Sequence, residues 1–201
     1  MKHALLIGCG NPRGDKIIKA CEGSGFTVTN IGSSASPKSS VKNIRINWND
    51  LDITKLHKIL KYIDGPIDFI FFNQNASSLS QADFKHEKKT AELWSLLKSW
   101  SKSYWLSCQM PYFVIQTLGK KISTDAKIGW MLSSYIDKDK PGVWNNPDYS
   151  GYKFTNFMIM KSMSEKYQCF GVNPEFDSKD KIESIIKDVC DETKKCNGEI
   201  F

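Results

Sequence analysis

The chain has 201 residues, of which 40% are apolar and 25% charged, and its formal net charge is +6. Those proportions suit a globular protein and exclude a collagen-like, low-complexity or disordered chain, because enough apolar surface is present to offset the entropy lost on ordering. No apolar run nears the ~18–20 residues that span a bilayer, and the stretch after Met1-Lys2 is too short for a signal-peptide core, so a single cytoplasmic domain covering 1–201, with no membrane contact, is expected.

Short apolar runs alternate with longer amphipathic stretches. His3 to Gly8 reads as a buried strand, followed by a glycine-rich turn and a helix from about Gly14 to Glu22 that Gly23-Ser24-Gly25 ends. Phe26 to Ile31 reads as a second strand, Asn43 to Asn47 as a short third, and Asp52 to Tyr62 as a helix. Ile67 to Phe72 is a strand apolar enough to be covered on both faces. Two long helices, about Lys85 to Tyr104 and Ser107 to Lys120, precede a strand over Ile128 to Ser133. A helix over Ser150 to Tyr167, a strand over Cys169 to Val172, a helix over Ser178 to Cys190 and a terminal strand over Glu199 to Phe201 complete the chain. Strands alternating with crossover-length helices predict a Rossmann-like, doubly wound, mostly parallel sheet with helices on both faces, a three-layer α/β/α fold.

Only Arg13 and Arg45 are arginines among the 28 basic residues. Arginine forks that read base edges are thus scarce, and nucleic acid is not an expected partner. The six cysteines (Cys9, Cys21, Cys108, Cys169, Cys190, Cys196) form no CxxC pair and only three histidines accompany them. No metal site is expected, and the thiols read as reduced and mostly buried.

Gly8-Cys9-Gly10-Asn11-Pro12-Arg13-Gly14 falls where the first strand must turn into the first helix. Such a turn needs residues without Cβ, so that backbone N–H groups and the helix N-terminus can approach a pyrophosphate. Further on, Asn73-Gln74-Asn75-Ala76 follows the fourth strand, Ser133-Ser134 the fifth, and Tyr149-Ser150-Gly151-Tyr152-Lys153 opens a helix. In this order the segments resemble the short-chain dehydrogenase/reductase family across nearly the whole chain. Tyr-x-x-x-Lys alone is a common spacing in a lysine-rich chain; the ordered set carries the resemblance.

The resemblance implies an NAD(P)-dependent oxidoreductase acting on a small carbonyl or alcohol substrate. A free tyrosine has a pKa near ~10, and a lysine ammonium one helical turn away favours the phenolate and lowers that value. Tyr149 is thus the expected general acid/base and Lys153 its partner, which in the family also bonds the nicotinamide ribose. Ser134 would hydrogen-bond the substrate oxygen, with Ser133 the alternative if the loop shifts the register, while Tyr152 has Asn156 instead of a lysine four residues on. For the cofactor, the resemblance implies contacts from Gly8, Gly10, Asn11, Pro12, Arg13 and Gly14, from Asn75 and Ala76, and from Tyr149 and Lys153. Gly32, Ser33 and Ser34 stand where an acid would meet the ribose of NAD. With none there, and with Lys38 and Arg13 available for a 2′-phosphate, NADP is preferred over NAD. Asn47-Trp48 would flank the adenine.

Three departures from the family stand out. Ser107 aligns with the catalytic asparagine, and a hydroxyl does not reproduce an amide's paired donor and acceptor. Pro12 replaces a glycine and removes an N–H at the phosphate turn. The segment from Gly171 to Phe176 runs almost directly into the last helix, leaving little chain for a substrate-covering loop. These favour, as the alternative, a catalytically impaired dinucleotide-binding sensor or scaffold of the same fold. A nucleotide-sugar modifying relative would need a further substrate domain that does not fit in 201 residues. Trp94, Trp100, Tyr104, Trp105 and Tyr112 supply more aromatic area than one sheet edge needs, which points to a homodimer or homotetramer through the helices around 85–120.

Overall fold

The computed structural model describes residues 1–36, 40–74, 90–133, 136, 147–173, 181–191 and 193–201. Strands β1 (Lys2–Ile7), β2 (Phe26–Gly32), β3 (Lys42–Arg45), β4 (Ile67–Phe72), β5 (Ile122–Met131), β6 (Gln168–Val172) and β7 (Glu199–Ile200) form one sheet. Their order is β3-β2-β1-β4-β5-β6-β7 and every neighbouring pair is parallel. The helices are α1 (Pro12–Gly23), α2 (Ile53–Lys61), α3 (Thr90–Tyr104), α4 (Met110–Leu118), α5 (Pro147–Met163) and α6 (Lys181–Cys190). This is the expected Rossmann-like three-layer architecture.

Strand alternation sorts the core into two layers, because successive side chains point to opposite faces. Leu5, Ile7, Ile70, Phe72, Ile128 and Trp130 face one layer, where Leu56 and Leu60 of α2, Val114 of α4 and Met160 of α5 cover them. Ala4, Leu6, Phe69, Phe71 and Phe170 face the other, covered by Ile17 and Ile18 of α1 and by Ile182, Ile186 and Val189 of α6. With both faces buried, a strand such as β4 reads as an unbroken apolar run and not as an alternation. Side chains close both ends of α2, one from a neighbouring residue and one from far along the chain. Asp52 caps α2 by accepting the Lys55 N–H at 2.8 Å, and the Lys121 amine donates to the Ile63 carbonyl at 2.7 Å and the Lys61 carbonyl at 3.0 Å.

Several boundaries differ from expectation: α1 starts at Pro12 and not Gly14, α5 runs Pro147–Met163 and not Ser150 to Tyr167, and two differences in the middle of the chain are larger in consequence. The expected break between the two long central helices is instead a π-turn, Trp105–Gln109, which carries α3 into α4. β5 begins at Ile122, well before Ile128, because Ile122 pairs with Ile67 and the register then shifts, so that Phe69 meets Lys127. The sheet order reverses between β1 and β4, whose neighbours lie on opposite sides. In a doubly wound sheet that reversal opens a crevice at the carboxyl ends of the strands.

Candidate functional site

The glycine turn is built into that crevice by bonds to strands on both sides. The Gly8 N–H donates to the Ile31 carbonyl at 2.8 Å, and the Cys9 N–H to the Asn30 side chain at 3.2 Å. From β4, the Asn73 N–H donates to the Ile7 carbonyl and its side-chain amide to the Gly8 carbonyl at 2.9 Å. Asn11 caps α1 by accepting the Gly14 N–H at 2.8 Å, a bond worth ~1 kcal/mol in such caps. Close approach requires glycine most sharply at two positions, and Gly8, at φ 79°, would put a Cβ 2.9 Å from the Gln74 backbone nitrogen. A Cβ on Gly10 would lie 2.1 Å from the Ser34 carbonyl oxygen, and one on Gly14 would lie 2.3 Å from that of Cys9.

Pro12 occupies the first position of α1, where the helix itself has no use for an N–H. Of the three N–H groups that a first helical turn offers an anion, Pro12 lacks one and Asn11 holds that of Gly14. The Arg13 N–H remains.

A cleft of about 680 Å³ opens beside this turn. Gly8, Gly10, Asn11, Pro12, Arg13, Gly32, Ser33, Ser34 and Trp48 line it, nine of the residues singled out from the sequence. Gly14 is buried behind them. Asn47 turns away into a surface turn, where its side chain donates to Asp50 at 2.7 Å and accepts the Asn49 N–H. Asn75, Ala76 and Lys38 lie outside the described residues. Lys16, Asn73, Gln74, Leu106 and Ile182 complete the lining, and sequence reasoning did not assign them to the site. Lys16 was findable, since it lies three positions after Arg13 on one helical face. Asn73 Oδ1 and Gln74 Oε1 are buried acceptors without a partner among the described residues.

At the carboxyl end of β5, Lys153 is 2% exposed and its amine donates to the Met131 carbonyl at 2.6 Å. The same amine lies 5.5 Å from the centre of the Tyr149 ring, one turn earlier on α5. Burial pushes the lysine down to about 7; the positive charge of Arg13 acts in the same direction, and the Cys108 thiol opposes it. Tyr152 is core: it is 3% exposed and its hydroxyl donates to the Trp100 carbonyl at 3.3 Å. Ser107 is buried within the π-turn, whose neighbouring Cys108 thiol donates to the Tyr152 carbonyl at 3.6 Å. Ser133 is buried just beyond β5, and Ser134 lies outside the described residues. Asn156 is buried beside Lys153 on α5, with its side-chain oxygen unpartnered among the described residues.

No family model and no curated protein matches the sequence. Solved structures do match. A short-chain dehydrogenase family protein from Francisella tularensis aligns over 100% of this chain and 96% of its own, at 18% identity and a TM-score of 0.73. An oxidoreductase of the short-chain dehydrogenase/reductase family from Brucella ovis, in complex with a partially ordered NAD, aligns over 100% and 98%, at 14% identity and a TM-score of 0.78. BdcA in complex with NADPH aligns over 99% and 91%, at 10% identity and a TM-score of 0.76. The chain has the short-chain dehydrogenase/reductase fold.

Within that fold, the glycine turn, the β2 end and the β4 end wall the cleft, and Tyr149 and Lys153 stand at the end of β5. Among the described residues, no helix is long and apolar enough to cross a membrane and no cluster of His, Cys, Asp or Glu could hold a metal ion.

Proposed function

We propose that the protein is an NAD(P)-dependent oxidoreductase acting on a carbonyl or alcohol substrate, with residues 1–201 forming one dinucleotide-binding domain. The observation that carries this reading is the placement of Tyr149, Lys153 and the glycine turn over one carboxyl edge of the sheet. Ile7, Phe72 and Trp130 stand in register across β1, β4 and β5, and the Lys153 amine is bonded to the residue after Trp130.

The cleft suits such a cofactor. Its described lining carries Arg13 and Lys16 and no acidic side chain, which favours an anion. Its volume is of the size small-molecule sites take. The unpartnered oxygens of Asn73 and Gln74 call for donors such as ribose hydroxyls or an amide. Gly32, Ser33 and Ser34 present no carboxylate at the end of β2, which supports NADP over NAD. The fold neighbours that hold NADPH and NAD agree with the cofactor class.

A reduced nicotinamide bound there supplies a hydride to a carbonyl carbon. The chain does the rest. The Tyr149 hydroxyl gives its proton to the alkoxide, and the Lys153 ammonium, one turn on, stabilises the resulting phenolate. Lys153 and Tyr149 would hold the ribose, and Ser134, or Ser133 in its place, would hold the substrate oxygen.

A second reading, a dinucleotide-binding sensor or scaffold without turnover, is favoured by Ser107 in place of the family's asparagine. NADPH consumption across a panel of ketones and aldehydes separates the two. Tyr149→Phe is expected to lower kcat by at least ~100-fold. Undiminished turnover in that variant overturns the catalytic assignment, and binding without turnover in the wild type selects the sensor.

All six cysteines are free thiols, in keeping with a reducing compartment such as the cytoplasm. We also propose that two copies pair through α3 and α5. Trp94, Leu97, Trp100 and Tyr104 on the first and Phe154 and Met158 on the second are exposed. A monomeric mass by light scattering at micromolar concentration would argue against it.

A further inference from the structure

We propose that Cys21 and Cys190 form an oxidation-sensitive thiol pair, in which a peroxide converts Cys190 to the sulfenic acid and Cys21 resolves it as a disulfide between α1 and α6. Neither residue lines the cleft, and the pair does not depend on the dinucleotide reading.

The two helices bring these thiols together. α1 and α6 cover the same face of the sheet, and Cys21 and Cys190 share one apolar layer with Ile17, Ile18, Ile186 and Val189. Ties on either side of Cys21 fix the packing. The Lys19 amine lies 3.3 Å from a Glu183 carboxylate oxygen, and a Cβ on Gly23 would lie 4.0 Å from Cε of Lys187. In the last turn of each helix the Cys21 thiol donates to the Cys190 sulfur, and the hydroxyl of Ser24, the residue that caps α1, reaches the same sulfur. Lys127 adds positive charge. From β5 its buried amine donates to the Val189 and Asp191 carbonyls at 2.6 Å each, one on either side of Cys190. The Asp191 carboxylate is engaged by the N–H and hydroxyl of Thr193 at 2.9 and 2.8 Å, and Glu192 lies outside the described residues.

These surroundings give the two thiols different parts. The thiolate is the nucleophile in such chemistry. Burial pushes Cys9, Cys108, Cys169 and Cys196 up, whereas the hydrogen bond from Cys21, helped by Ser24 and Lys127, holds Cys190 below the ordinary thiol value. Cys190 also keeps a 5% exposed edge where Cys21 has none, so a water-sized oxidant meets Cys190 first. The Cys190 thiolate attacks one peroxide oxygen. The O–O bond breaks, and the other oxygen leaves as hydroxide and takes up the proton that the thiol released. The Cys21 sulfur then attacks the sulfenic sulfur, the S–O bond breaks, and the hydroxyl leaves with the Cys21 proton as a second water. Two thiols have lost two electrons and the peroxide has gained them. Rotation of the side chains closes the sulfurs to the ~2.05 Å of an S–S bond, and a dithiol reductant reverses the step by exchange. The bridge ties together the helices that bring Arg13, Lys16 and Ile182 to the cleft.

Thiol counting and peptide mass mapping of the full chain after limited hydrogen peroxide test this before any variant is made. Two of the six thiols are expected to be lost, with Cys21 and Cys190 in one cross-linked peptide pair and both recovered on adding a dithiol. In urea the packing is gone, and pairing should shift to Cys190 and Cys196, which are near neighbours in sequence. In Cys21→Ser, oxidation should stop at Cys190 as a sulfenic acid that dimedone captures. In Cys190→Ser, Cys21 should oxidise at least ~10-fold more slowly than in the wild type. The pair is overturned by a first bridge between any other two cysteines of the folded chain, by dimedone on wild-type Cys190 with no bridge, or by a folded chain that does not oxidise. A preference for Cys21 and Cys190 that survives urea, or equal oxidation of Cys21 in Cys190→Ser, overturns it as well.

Discussion

Replacing Gly14 with alanine probes how the glycine turn is held together. The added Cβ would lie 2.3 Å from the Cys9 carbonyl oxygen and 2.4 Å from the Cys9 Cα and carbonyl carbon. Comfortable separations between such atoms begin near ~3.5 Å, so about an ångström must be found. Neither side yields easily. Cys9 is fully buried with its N–H bonded to Asn30, and α1 is anchored by Ile17 and Ile18, which are fully buried as well. Overpacking of this kind costs about 1–3 kcal/mol, and breaking the Asn11 cap adds ~1 kcal/mol. A loss of roughly 3 kcal/mol corresponds to a fall in Tm of about 6–12 °C for a chain of this size. Gly151 supplies the control. It is exposed on α5, nothing lies within 4 Å of where its Cβ would stand, and alanine there should stabilise by up to ~1 kcal/mol. Urea unfolding followed by tryptophan fluorescence measures both. A wild-type midpoint for Gly14→Ala, or equal damage from the two substitutions, would mean that the turn is not held as tightly as these separations require.

Lys153→Met should change how stability depends on pH. The unfolded lysine titrates near ~10.4 and the folded one at about 7, so between those values the unfolded chain binds more protons and stability rises with pH. The wild type should therefore gain on Lys153→Met from pH 7 to 10, by no more than roughly 5 kcal/mol, with a constant difference below pH ~6; a difference flat throughout would contradict the burial of a titrating amine. Asn73→Ala removes the bond to the Gly8 carbonyl and should cost about 1–2 kcal/mol in urea unfolding, with NADPH affinity down roughly 10-fold by fluorescence titration. Unchanged values in both measurements would show that β4 does not hold the turn.

Much of the fold is legible in the chain because the physics involved is local. Apolar runs such as Ile67–Phe72 announce strands, and Gly23-Ser24-Gly25 announces the end of the first helix. Other features depend on contacts remote in sequence. The pattern alone starts β5 at Ile128 because Ser123 to Lys127 interrupts the apolar run, yet Ile122 pairs with Ile67 and the Ser123 hydroxyl donates to Asp68 at 2.6 Å. Lys127 is charged yet buried, and its amine closes the end of α6 by donating to the Val189 and Asp191 carbonyls at 2.6 Å each. In the candidate site, Tyr149 and Lys153 are recognisable by their place in the ordered set of segments, not by their spacing alone. That Tyr152 is a core residue, and that Lys153 is sealed onto Met131, can be learned only from the packing.

A crystal structure of the protein soaked with NADPH would probe the proposed chemistry at its root. Phosphates are expected against the Gly10–Gly14 turn and adenosine between Ser33 and Trp48. The Tyr149 hydroxyl should face the nicotinamide at the ~3–3.5 Å separation of reacting groups, allowing for a substrate between them. Dinucleotide density elsewhere on the molecule, or a nicotinamide remote from Tyr149 and Lys153, would be incompatible with hydride transfer at this site.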